Sequence, residues 1–149
     1  MKSTRTWVLV ADGKRARVLR QTGTLSPLEA VQGANFQTEL HKSSDVRTDR
    51  AGRVQESVGG AHHAVASRTD WHREEKHRFA GVLARFLEEA AERNDYDRLI
   101  LVAAPKTLGD LRAALGQHAR RRLGGELDKD LTEMSVADVG ARLVQAALL

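Results

Sequence analysis

Leu99-Ile100-Leu101-Val102-Ala103-Ala104, stopped by Pro105, is the stretch that decides the fold. A short apolar run of this kind, bounded by a breaker, reads as a strand buried on both faces, in a central position with parallel partners. Upstream of it, Phe79, Val82, Leu83, Phe86, Leu87, Ala90 and Ala91 recur at helical spacing. Asp70 is a good N-cap, with Glu74 and Glu75 in the first turns, so a helix is expected over 71–93, closed by Asn94-Asp95. Downstream, a helix begins at Thr107 or Gly109 with Leu108, Leu111, Ala114 and Leu115 on one face. A short strand is expected within 123–131. Ser135 caps a last helix over 136–148, with Val139, Leu143, Val144 and Ala147 inward.

The N-terminal part reads differently. Thr6-Trp7-Val8-Leu9-Val10-Ala11 is a second buried strand. Asp12-Gly13 is the strongest short hairpin signal in the chain, and 16–21 is the returning strand. After the Thr22-Gly23-Thr24 turn, 28–32 alternates well enough for a third strand. From 33 to 69 no period is sustained, and a loop of that length is usually functional or disordered. The expected order is β-β-β, long loop, α, β, α, β, α. An antiparallel meander feeding right-handed crossovers gives an α/β fold with a mixed sheet of about five strands, ribonuclease H-like topology and helices on both faces.

The 149 residues suit one domain, 1–149, with one core. Aromatics are 4%, so that core is built mainly of Leu, Val and Ala. The chain has no cysteine, which excludes disulfides and Cys-based zinc sites. No apolar h-region opens the sequence and no run reaches the roughly 20 residues of a bilayer span. A cytoplasmic protein without membrane insertion is the expectation, with oligomeric state open. The net charge of +4 and pI near 9.8 are compatible with a polyanionic partner. The cations cluster at Lys14, Arg15 and Arg17 and at Arg120, Arg121 and Arg122.

Several chemistries can be weighed against plainer roles. Two-metal nuclease chemistry needs converging carboxylates. Asp12 and Glu74 or Glu75 are candidates, but Ala103-Ala104-Pro105-Lys106 puts no acid at the end of the central strand, and Asp12 has a sufficient job in a turn. Of six histidines, five (His41, His62, His63, His72 and His77) lie between Leu40 and Arg78. None of them forms an i, i+4 metal-binding pair, and exposed loop polars are the plainer reading. Val58-Gly59-Gly60-Ala61 lacks the spacing and Lys of a phosphate loop. Ser57, Ser67 and Ser135 lack a nucleophile-elbow context. No catalytic residue, metal or cofactor is expected. The basic residues of the loop are nearly balanced by acids. The functional alternative to a solvated loop is an arm whose Arg50, Arg53, Gly59, Gly60, His62, His63 and Arg68 approach phosphate backbone.

Trp7 to Val18, Thr48-Asp49-Arg50-Ala51-Gly52-Arg53, His77-Arg78-Phe79-Ala80, Val102 to Arg112, and Gly125 to Thr132 together resemble the bacterial host attachment protein family over nearly the whole chain. That family is similar to the middle domain of archaeo-eukaryotic release factors and of Pelota (the baeRF type). In release factors a Gly-Gly-Gln loop precedes a long charged helix and enters the peptidyl transferase centre. Here Val58-Gly59-Gly60-Ala61 takes the matching place, with Ala61 where the Gln would stand. The resemblance implies a non-catalytic module associated with ribosome or RNA. The alternatives are a protein–protein factor supporting attachment to host cells, and a weak hydrolase of peptidyl-tRNA or a metal-dependent nuclease.

Overall fold

The structure, a computed structural model, describes residues 3–38 and 60–149, with the side chains of 60–69 outside that description. The described elements run β1 (Arg5–Ala11), β2 (Arg15–Thr22), β3 (Glu29–Gln37), α1 (Gly60–Glu92), β4 (Arg98–Val102), α2 (Pro105–Ala114), α3 (Gln117–Arg122), β5 (Leu123–Leu127) and α4 (Val136–Gln145). One five-stranded sheet has the order β3-β2-β1-β4-β5. β1–β2 and β2–β3 are antiparallel, whereas β1–β4 and β4–β5 are parallel. The mixed α/β sheet read from the sequence is therefore present, and β4, which ends at Val102, two residues before the expected end at Ala104, lies between two parallel partners as expected.

The period-2 geometry of a strand sorts the core into two layers. Trp7, Leu9 and Ala11 of β1 and Leu99 and Leu101 of β4, with Ala103 just beyond it, pack with α1, α2 and α3. Val8, Val10, Ile100 and Val102 point the other way, onto Leu131 and onto Val139 and Leu143 of α4. Helices thus cover both faces, which is why these two strands carry unbroken apolar runs instead of alternating with polar residues. The few aromatics are grouped: Trp7 stacks on Tyr96 at 4.8 Å and on Phe86 at 6.0 Å, and Phe36 meets Phe86 edge-on. The buried Tyr96 hydroxyl donates to the Leu87 carbonyl at 2.8 Å.

Several sequence expectations need correction. The third strand does not stop at 32. The β2–β3 register shifts between Arg17 and Leu19, and Gly33 adopts φ +78°, so a bulge interrupts the alternation and the strand resumes to Gln37. The loop expected over 33–69 is shortened from both ends, because α1 already begins at Gly60. Asp70 is consequently an interior helix residue and not an N-cap. Its sequence misled because the apolar face starts only at Phe79, the first buried residue of the helix's described side chains. Val82, expected inward, is exposed. Finally, α3 was not expected as a separate helix, and α4 ends at Gln145, with Val144 exposed and Ala147 at φ +59° as its left-handed cap.

The end of α1 and the start of α4 are closed as their sequences suggest. Asn94 takes φ +62° after α1, while its N–H and that of Asp95 reach back to the carbonyls of Ala91 and Ala90. This is the Schellman arrangement, which satisfies the last carbonyls of a helix. Ser135 accepts from the Asp138 N–H at 3.1 Å and caps α4. Among the described residues, no helix is long and apolar enough to cross a membrane.

Candidate functional site: cations at the carboxyl ends of the parallel strands

Ligands of open α/β sheets bind outside the carboxyl ends of the parallel strands. Here that edge carries the β1–β2 turn, the start of α2 and the connection from β5 to α4. The turn is built by Asp12. Its N–H donates to the Arg15 carbonyl at 2.9 Å, and its Oδ1 accepts from the N–H groups of Lys14 and Arg15, both at 2.8 Å. Its Oδ2 accepts from Arg15 Nε at 3.1 Å and faces Thr132 Oγ1 at 3.5 Å. Burial alone would raise the Asp12 pKa, but these N–H donors and the Arg15 charge outweigh it and hold the group below its ordinary value. Asp12 is thus a fully engaged turn builder.

Gly13 does not take a left-handed backbone. A Cβ there would stand 3.0 Å from Lys76 of α1, whose stem lies across the turn. Lys14, Lys76, Arg15 and Asp12 line a cleft of about 500 Å³ together with Gly13 and Gln37. Arg15 is spoken for by Asp12 and by Glu133 at 3.2 Å. Lys14 and Lys76 have no ion pair among the described residues. Beside Lys76, His77 Nδ1 lies 3.4 Å from Asp110 Oδ1 and ties α1 to α2.

Of the residues expected to make contacts, Lys14, Arg15 and Arg17 are brought together at this edge. Arg50, Arg53 and Gly59 lie outside the described residues. Gly60 opens α1 and does not form a loop tip, and His62, His63 and Arg68 follow it on the helix backbone. The second basic patch is largely used up inside the fold. Arg120 donates to the carbonyls of Arg112 and Leu115 at 2.9 and 3.1 Å, closing the end of α2. Arg122 donates to the Tyr96 and His118 carbonyls and to Asn94 Oδ1, and its guanidinium sits 5.9 Å from the Tyr96 ring centroid. Arg121 is exposed. This patch lies near the amino ends of β4 and β5, about 15 Å of strand away from Lys14. The two patches therefore do not form one surface. Lys76 and Gln37 belong to the site and were missed. Each lies on an element whose extent the sequence pattern understated.

Metal-ligand types converge once among the described residues, at Glu88, Glu92 and His118. Glu88 Oε1 accepts from the Ala119 N–H at 2.8 Å, and Oε2 accepts from the His118 N–H at 3.2 Å and meets His118 Nδ1 at 2.7 Å. Burial alone would raise the Glu88 pKa, but the Ala119 and His118 contacts hold it below the ordinary value. The group is an N-cap for α3 delivered from α1. Gly116 completes it, since a Cβ there would lie 2.5 Å from the Glu88 carboxyl carbon. A helix N-terminus favours an anion and opposes a cation, so the arrangement suits the carboxylate without metal.

The end of β4 carries Ala103, buried and without an acid, and Glu75 is paired with Arg78. Among the described residues, no constellation of carboxylates forms around Asp12 of the kind that two-metal chemistry requires. Comparison with curated proteins gives no match. A family model described as "Protein required for attachment to host cells" matches residues 7–143, and the chain belongs to that family.

Proposed function

We propose that this protein is a non-catalytic binding module that associates with ribosome or RNA through the cationic edge at the β1–β2 turn. The observation that carries the reading is the convergence of Lys14 and Lys76, two cations without ion pairs among the described residues, over the bare backbone of Gly13. Such a pair neutralises phosphates without reading bases, so it supports backbone contact and not sequence recognition. The strand order is consistent with the ribonuclease H-like expectation, and with it the likeness to release-factor middle domains. Hydrolysis is the weaker reading: Asp12 is committed to its turn, and Ala61 stands where a Gln would be needed. A role in attachment to host cells, which the family description names, is on this reading a downstream consequence of the binding.

The test is co-sedimentation with ribosomes at low and high salt. Association that falls steeply with salt and weakens in a Lys14→Gln, Lys76→Gln variant supports the proposal. No association at low salt removes it.

A further inference from the structure

Next to the Lys14–Lys76 cleft lies a second one of about 320 Å³, within the size range of small-ligand sites. Its construction follows from strand register. Arg15 pairs with Gln37 and Arg17 with Asn35 across β2 and β3. Residues two apart on a strand share a face, so the two guanidiniums and the two amides stand on the side of the sheet that α4 covers further along. Val10, which pairs with Arg17 in β1, lines the cleft with them, and Thr132 enters from the β5–α4 connection. No carboxylate is among the described lining residues, although Asp12 lines the neighbouring cleft.

Arg17 is the unusual member. Its Nε is shielded from solvent and has no hydrogen-bond partner, and its Nη2 donates to the Met134 carbonyl. Arg15 is compensated by Asp12 and Glu133, but no carboxylate among the described residues compensates Arg17. Burial lowers its pKa, and the charge of Arg15 lowers it further. A part-buried guanidinium without a counter-charge is costly, and an anion in the cleft would relieve that cost.

We propose that this cleft binds a phosphate group, with Arg17 as its charge partner and the side-chain amides of Asn35 and Gln37 as neutral donors. Three separate side-chain donor groups arriving from two strands suit an oxyanion with more than two acceptor oxygens, which a planar carboxylate lacks. The site deepens the RNA reading by naming the group recognised, but the phosphate can equally come from a free ion.

The experiment is calorimetric titration of the full chain with inorganic phosphate at constant ionic strength, with acetate as the planar control. Saturable phosphate binding that exceeds acetate binding is expected. Arg17→Met should weaken it about tenfold to a hundredfold, the range for losing a charge-assisted contact, and Asn35→Leu should weaken it several-fold. In phosphate-free buffer Arg17→Met should melt no lower than the parent, which shows that the variant is folded. Absence of saturable phosphate binding by the parent, or equal binding by Arg17→Met and Asn35→Leu, overturns the proposal. A short RNA with a 5′-phosphate, its 5′-hydroxyl counterpart and the phosphate ion then compete. Displacement by both RNAs assigns a backbone phosphate, and displacement by the first alone assigns a terminal one. Displacement by neither leaves a free-phosphate site and removes only the RNA source. Failure of ribosome co-sedimentation with phosphate binding intact sinks the ribosome reading alone.

Discussion

Replacing Glu88 with Ala tests whether its cluster is a helix cap or a metal site. The substitution removes the acceptor for the Ala119 and His118 N–H groups, and Ala119 is fully buried. Losing a cap costs about 1 kcal/mol. Leaving a buried N–H unsatisfied adds about 1–3 kcal/mol, so a total of about 2–4 kcal/mol is expected. For a chain of this size that lowers Tm by roughly 4–16 °C. Glu88→Gln, which keeps one acceptor oxygen, should fall between. Glu92→Ala should stay within about 0.5 kcal/mol of the parent, as surface substitutions do, because Glu92 makes no contact in the cap. The assay is thermal and urea unfolding followed by circular dichroism, with and without added zinc. Because the Glu88 pKa is depressed in the fold, its contribution is fully present above the ordinary value of 4.5 and is lost as pH falls through the folded value. The cap reasoning is refuted if Glu88→Ala and Glu92→Ala are equally destabilised and zinc raises the Tm of the parent but of neither variant.

Four further outcomes are expected. Lys14→Gln with Lys76→Gln should reduce the slope of log binding against log salt by about 1.4–1.8, measured by RNA anisotropy over a salt series, since each phosphate contact contributes about 0.7–0.9. Arg122→Ala should destabilise by about 1–3 kcal/mol through the orphaned Tyr96 and Asn94 contacts, whereas Arg121→Ala should be neutral; equal effects in urea unfolding would show that the patch is not structural. Arg5 holds the Asp97 carboxyl at about 2, first through its side-chain hydrogen bond and then through its backbone N–H. A shift of that size in a dry site would be worth about 2 kcal/mol, but both side chains are about two-fifths exposed, so screening leaves ~1 kcal/mol or less. That stability is complete above the ordinary value of 3.8 and lost as pH falls towards 2, and Asp97→Asn should flatten this part of a pH–Tm profile. Tyr96→Phe, which removes a buried hydroxyl bonded to the Leu87 carbonyl, should cost about 1 kcal/mol in the same unfolding assay.

The parts of the fold that were legible in the sequence are those whose local signal agrees with the tertiary demand. The runs 6–11 and 99–104 are apolar because helices cover both sides of them, and Asp12-Gly13 marks a turn because Asp12 can bind two N–H groups within three residues. Even there the chemistry differed in detail: Asp12 heads a turn that closes at Arg15, and Gly13 serves Lys76. Legibility failed where long-range contacts decide. Residues 70–78 of α1 contain no buried side chain, so that stretch offers no buried stripe to read. Ala61, Ala64 and Ala66, with no proline between Pro27 and Pro105, were the available helix signal. The bulge near Gly33 hid Asn35 and Gln37 by breaking their alternation. Arg120-Arg121-Arg122 looks like a patch in one dimension, but two of the three close carbonyls from α2 and the α1–β4 connection. Glu88 could not be linked to α3 from 30 residues away.

The length of α1 has a mechanical consequence. Among its described side chains, those that join the core begin at Phe79, while Lys76 lies against the β1–β2 turn and His77 faces Asp110 of α2. Gly60 stands nineteen positions before Phe79, about 28 Å along the axis at 1.5 Å per residue. A change of about 5° in the direction of the axis at Phe79 therefore displaces the start of α1 by roughly 2.5 Å. Small repacking around Trp7 and Phe86, where α1 meets β1, is read out as a much larger shift at the other end of the helix.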